Sequence, residues 1–169
     1  SIKNVGTDAI RSIVRIREKD GKFKNIDDFL NKVPYGLITK KSFENLIKSG
    51  AFDNIEPNRN KLFISIDVML NYSHSLEKEK TSYQSNLFNN CGSNNLLINL
   101  QNADEWNFQE NINNEFSSLG LYLSGHPLDS YLNILSEINV KRSIEIHKDP
   151  EKYFKNNVKL CGQIFKIQK

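Results

Sequence analysis

The sequence predicts a mainly α-helical protein, and three observations predict it. Apolar residues recur with helical spacing in successive short stretches, as in Ile10, Ile13, Val14 and on to Arg17. Asn, Thr, Asp or Pro stands where such stretches begin and Gly where they end, the pattern of capped helices. Between residues 73 and 109 the period stops and Ser, Asn and Gln dominate, so a long linker separates two ordered parts.

Taken in order, Ile2 and Val5 flank a turn that ends at Gly6, and a helix follows to the Asp20-Gly21 stop. A second helix starts at NIDDFL, with Asn25 as N-cap, Asp27 and Asp28 in the first turn, and Phe29, Leu30 and Val33 inward. Pro34 and Gly36 break it. Thr39 caps a third helix with Phe43, Leu46 and Ile47 inward and Gly50 after its end. NRNKLFISIDVMLNY reads as a single fourth helix with Leu62, Ile66, Met69 and Leu70 on one stripe. Within the linker, LLINL at 96–100 is an apolar patch that can dock locally. NINNEFSSLGLYL predicts a helix ending near Gly120. Pro127 starts a helix carrying Leu128, Leu132, Leu135 and Ile138, and Asp149-Pro150 starts another. The tail VKLCGQIFKIQK alternates like a strand, with Gly162 at a bulge.

At 169 residues the chain suits one or two small domains with a modest core. No apolar run reaches membrane-spanning length, and no secretory signal opens the chain. The sequence opens directly on a folded-looking motif and stops within a strand-like pattern, so it reads as an excised piece of a longer chain. Cys91 and Cys161 stand far apart without a metal-ligand pattern, which fits a reducing cytoplasm. The net charge of +3 is unevenly spread. Residues 1–61 hold 13 Lys/Arg against 8 Asp/Glu, residues 81–140 hold six acids and no Lys or Arg, and residues 141–169 hold 8 against 3. A polyanion prefers the two basic segments and avoids the acidic one.

Four motifs carry chemistry or its alternatives. IKNVG before a helix has the form of a helix-hairpin-helix, in which turn amides and the next helix N-terminus face one phosphate without reading a base. Glycine is expected there for positive φ and close approach, and Asn4 at the first such position tolerates that conformation. The same residues also read as an ordinary connection between helices. LITKKSFENLIKSGAF repeats the layout with Thr39, Lys40 and Lys41 opening the helix and no glycine pair, giving a tandem unit. Lys3, Arg11, Lys40 and Lys41 are the charges expected nearest phosphates, with a solvated surface as the alternative. The third motif is QSNLF: Gln84, Leu87 and Phe88 on a polar segment look like a bacterial sliding-clamp-binding peptide. Each apolar anchor gains about 1.5–3 kcal/mol in a pocket, and the amide sets register. A local hydrophobic latch is the alternative. The fourth, LGLYLSGHPLDSY, has no chemistry from spacing: His126 lacks a second ligand or a catalytic partner.

Together IKNVGTDAI, the VRIREKDGKFKNIDDFLNKV stretch, ITKKSFENLIKSGAFD, QSNLF and LGLYLSGHPLDSY resemble the C-terminal part of the bacterial C-family replicative DNA polymerases, the alpha-subunit family of DNA polymerase III. The resemblance implies a tandem helix-hairpin-helix DNA-binding domain over 1–72 and a linker with a clamp-binding motif over 73–109. It further implies a helical connector over 110–156 and the first strand of a truncated OB-fold over 157–169. It places Lys3, Asn4, Val5, Gly6, Thr7, Arg11, Thr39, Lys40 and Lys41 on duplex DNA, and Gln84, Leu87 and Phe88 on the beta sliding clamp. Further replisome subunits would be reached through the parent. The paired carboxylates of a polymerase palm and the family's histidine cluster are expected elsewhere, so no catalytic or metal residue is assigned and no cofactor is expected here. Mg2+ would act in the parent polymerase. A mutagenic paralogue of the same family, a repair scaffold with hairpins and a clamp peptide, and a helical interaction module without DNA affinity are the alternatives.

Overall fold

The computed structural model describes residues 2–81, 98–164 and 167–168, which fall in two units, Ser1–Tyr122 and Leu123–Lys169. In the first unit, α1 (Thr7–Asp20) ends where Gly21 takes φ 83°. It lays Ile10, Ile13 and Ile16 on the core without burying any side chain fully. α2 (Ile26–Lys32) starts because the Asn25 side chain accepts from the Asp28 amide at 2.8 Å. α3 (Lys40–Lys48) starts because the Thr39 hydroxyl accepts from the Ser42 amide. α2 and α3 bury Phe29, Leu30, Phe43, Leu46 and Ile47, the faces that helical spacing predicts. Phe52 joins Phe29 and Phe43 in a three-ring cluster with centroids 5.0–6.1 Å apart. Burying each ring is worth about 1.5–3 kcal/mol, and each edge or stacked contact adds about 0.5–1.5 kcal/mol.

The single fourth helix expected from the sequence is two: α4 (Arg59–Ile64) and α5 (Ile66–Thr81). At Ser65 the backbone tightens, with its amide donating to the Leu62 carbonyl at 3.1 Å. The fully buried Ser65 hydroxyl accepts from the Gln101 amide at 2.9 Å. The break thus receives the strap at 98–107. That strap also places the Ile98 amide on Asp27, and the carbonyls of Ala103 and Asp104 on the side-chain amides of Asn58 and Asn60. Ile98, Leu100 and Trp106 pack on the core. The expected linker over 73–109 is therefore helical to Thr81 and docked from Ile98 onward, because its polar backbone finds partners on α2, α4 and Ser65. α6 (Phe108–Leu119) follows with a reciprocal capping box between Asn107 and Glu110, and ends at Gly120 with φ 78°.

The second unit holds a turn of 3-10 helix at Asp129–Tyr131, then α7 (Leu132–Glu137), α8 (Ser143–Lys148) and α9 (Pro150–Tyr153). The helix expected from Pro127 starts later. The Asp129 carboxylate accepts from the His126 amide at 2.6 Å, and the His126 Nδ1 accepts from the Leu128 amide, which folds 126–129 as a turn. Asn139, at φ 57°, ends α7. The described residues from 158 onward contain no strand. The Lys141 amide donates to the Lys159 carbonyl, a single bond between two extended stretches that builds no ladder. Among the described residues no helix is long and apolar enough to cross a membrane.

One ion cluster ties the first unit together. Arg59 at the start of α4 grips both oxygens of Asp53 at 2.8 and 2.7 Å and donates to Glu115 of α6 at 3.0 Å. Glu115 is fully buried. Asp53 first, then burial and Glu115, set the Arg59 pKa, with a net shift upward. Gly50, at φ 77°, leaves the room: a Cβ there would strike the guanidinium and stand 2.7 Å from the Asp53 carboxylate. Arg59→Ala leaves Glu115 buried without its charge partner, which costs about 3–5 kcal/mol. Urea unfolding of the variant should show that loss as a lower midpoint with an unchanged slope.

Candidate nucleic-acid interface

The first hairpin is built from Lys3, Asn4, Val5 and Gly6. Asn4 lies in the left-handed region at φ 57°, a conformation its short polar side chain tolerates. Gly6 is extended, at φ -66° and ψ 140°, so the positive φ expected of the glycine falls on Asn4 instead. What Gly6 supplies is bareness: a Cβ built there meets nothing within 4 Å. Gly6 is also the N-cap of α1, and no side chain caps that end. The first helical bond runs from the Ile10 amide to the Gly6 carbonyl, so the amides of Thr7, Asp8 and Ala9 have no acceptor within the helix. Thr7 is exposed beside them. Arg11 lies 3.5 Å from the Asp8 carboxylate, with both side chains largely in solvent, a pair that restrains neither strongly.

The hairpin is held from behind. The Lys3 amide donates to the Ser118 carbonyl and the Lys3 ammonium to the Ser117 carbonyl, each at 2.9 Å. Lys3 thereby sits on the carbonyl end of α6, where the helix dipole favours a cation. The ammonium expected nearest a phosphate is here an anchor on that helix end, with the residue itself still exposed. The Asn4 carbonyl accepts from the Ser42 hydroxyl at 2.6 Å, and that hydroxyl lies 2.8 Å from the Thr39 hydroxyl.

The second hairpin differs from the first in two ways. It does contain its glycine: Gly36, at φ 82°, is the third residue of a turn closed by the Leu37 amide on the Pro34 carbonyl. Its helix end is closed, because Thr39 accepts from the Ser42 amide. Lys40 is engaged by Asp67 at 2.6 Å, and that bond raises the Lys40 pKa above its usual value. Lys41 is exposed. The structure therefore brings Asn4, Val5, Gly6, Thr7 and Arg11 together at one open helix end. Thr39 acts as a cap, and Lys3 and Lys40 are paired elsewhere. Gln84, Leu87 and Phe88 lie outside the described residues.

Sequence reasoning missed Ser42, Ser117 and Ser118, whose partners lie 38 and more than 100 residues away. A serine in the first turn of a Thr-capped helix carries no signal of such a contact.

A turn followed by an open helix end has the form of a helix-hairpin-helix motif. Residues 1–62 match the family described as helix-hairpin-helix motif. The chain is 38% identical to a DNA polymerase III subunit alpha of Rickettsia felis over 98% of its own length and 14% of that relative. It is 34% identical to the same subunit of Borreliella burgdorferi over 88% of its length and 13% of that relative. With the Caulobacter vibrioides subunit it shares 32% identity over 80% of its length and 12% of the relative. The chain belongs to the DNA polymerase III alpha-subunit family and spans about one seventh of the length of these relatives.

Asn4→Val places a β-branched residue at positive φ and should cost about 1–2 kcal/mol in chemical denaturation. Asn4→Gly should fold within a few tenths of a kcal/mol of the parent sequence, an outcome read in the same experiment.

Proposed function

We propose that this chain is the duplex-DNA-holding and clamp-tethering part of a bacterial replicative DNA polymerase acting in the cytoplasm. The observation that carries the DNA half is the uncapped amino end of α1, with its left-handed Asn4 and bare Gly6. A phosphate oxygen accepts from amides there and meets the positive end of the helix dipole, with no base contact. Thr7, Arg11 and Lys41 add donors around it. Asp8, in the first turn, opposes the phosphate, and Arg11 partly offsets that. The excess of five positive charges over 1–61 and the acidic stretch at 81–140 orient the chain on a polyanion.

With three or four phosphates neutralised, log affinity for duplex should fall with log salt at a slope of about −3 to −4. Lys41→Ala should lower affinity and take about one unit from the slope. Asp8→Asn should raise affinity about two- to fivefold at low salt, by removing a like charge a few ångströms from the phosphate. A salt-independent affinity, or strong preference for one base sequence, contradicts the reading.

The clamp half rests on the side-chain chemistry of Gln84, Leu87 and Phe88 and on the family relationship. The parent's contact with a sliding clamp would raise the local concentration of DNA at the hairpins, and DNA that of the clamp. Leu87→Ala with Phe88→Ala should remove most of the peptide's gain, about 3–5 kcal/mol before ordering costs. Calorimetry with purified clamp measures it, and equal affinities of wild type and double variant reduce the motif to a local latch. Nucleotide addition and its Mg2+ belong, in this reading, to other parts of the parent, as do contacts with other replisome subunits. Among the described residues no group of three His, Cys, Asp or Glu stands together as ligands.

A further inference from the structure

We infer that Ser42 is a positioning residue for the phosphate site: its hydroxyl, 2.6 Å from the Asn4 carbonyl, aims the Val5 amide at the anion. This rests on the DNA-binding reading above and assigns the second hairpin a role within it. The carbonyl and amide of one trans peptide point in opposite directions. With the Asn4 carbonyl drawn toward the amino end of α3, the Val5 N–H of the same peptide faces away from α3. That amide has no protein acceptor among the described residues. It lies one residue before Gly6, whose Cβ side is open. Rotation of the Asn4–Val5 peptide about the Asn4 ψ and the Val5 φ would turn the amide inward with little movement of the neighbouring residues. A hydrogen bond to the carbonyl decides between the two orientations.

Ser42 is built for that decision. It is 6% exposed, and its hydroxyl lies 2.8 Å from Thr39 Oγ1. Thr39 Oγ1 in turn accepts from the Ser42 amide, which fixes both hydroxyls at the first turn of α3. The amino end of α3, closed to a phosphate by its own cap, is thereby used to orient the peptide that binds one at α1. The tandem repeat has one open end and one strut.

The test uses the whole chain with Ser42→Ala, Ser42→Cys and Ser42→Thr, titrated into a short fluorescent duplex across a salt series. Cysteine keeps the shape with a weak donor, and threonine keeps the hydroxyl. Ser42→Ala and Ser42→Cys should bind about fivefold more weakly and lose about one unit of salt slope, with thermal unfolding near that of wild type. Ser42→Thr should stay within about twofold of wild type. In amide spectra of the unbound chain, the Val5 resonance should move in the first two variants and hold in the third. Where Ser42→Ala fails to fold, Ser42→Cys carries the comparison. Wild-type affinity in both, or a threonine variant as weak as they are, overturns the assignment while the DNA reading stands. A wild-type chain with no duplex affinity ends both.

Discussion

The first unit depends on one buried ion pair. Glu115 has no solvent and Arg59 very little, so the buried carboxylate gains the guanidinium as its counter-charge while Asp53 grips the other side of that guanidinium. Such a pair adds modest net stability, yet it fixes which part of α6 meets which end of α4. Asp53 completes the fork, and the absence of a side chain at Gly50 leaves the space. From that register the rest follows. The carboxyl end of α6 comes to lie where Lys3 can reach the Ser117 and Ser118 carbonyls. The hairpin proposed to take a phosphate is therefore positioned by residues more than a hundred positions away.

That dependence explains how α1 can be loosely packed and still present a defined site. None of its side chains is fully buried, and apolar residues on it and on the core opposite line an open groove. Its position comes from its amino end, where Lys3 is tied to α6 and Asn4 to Ser42. The amides of Thr7, Asp8 and Ala9 have no acceptor within the helix, at an end that no side chain caps. A capped end such as that of α3 has already used its donor and works as scaffold.

The parts of this arrangement that were legible in the sequence are those set by neighbours along the chain. The inward faces of α2 and α3, the caps Asn25 and Thr39, and the stops at Gly21, Gly50 and Gly120 follow from spacing and residue type. The left-handed Asn4 was legible for the same reason. The break at Ser65 was not, because the group that rewards it is the Gln101 amide, 36 residues on. The strap at 98–107 looked like linker because its backbone bonds go to side chains of Asn58 and Asn60, invisible to any local pattern. Lys3 and Lys40 read as DNA cations by composition, and only the fold supplies their partners at Ser117 and Asp67. In the second unit the sequence pointed to a helix carrying Leu128, Leu132, Leu135 and Ile138, and of these Leu132 and Ile138 are half exposed within the unit.

The claim that a phosphate enters at the open end of α1 is tested most directly by backbone amide spectra of the whole chain during titration with a mixed-sequence duplex. Residues 141–169 carry the same excess of five positive charges as residues 1–61, so charge alone does not choose between them. The account predicts the largest shifts at the amides of Val5 to Ala9, with weaker ones near Lys41. Largest shifts between 141 and 164, with the hairpin amides unmoved, would contradict it.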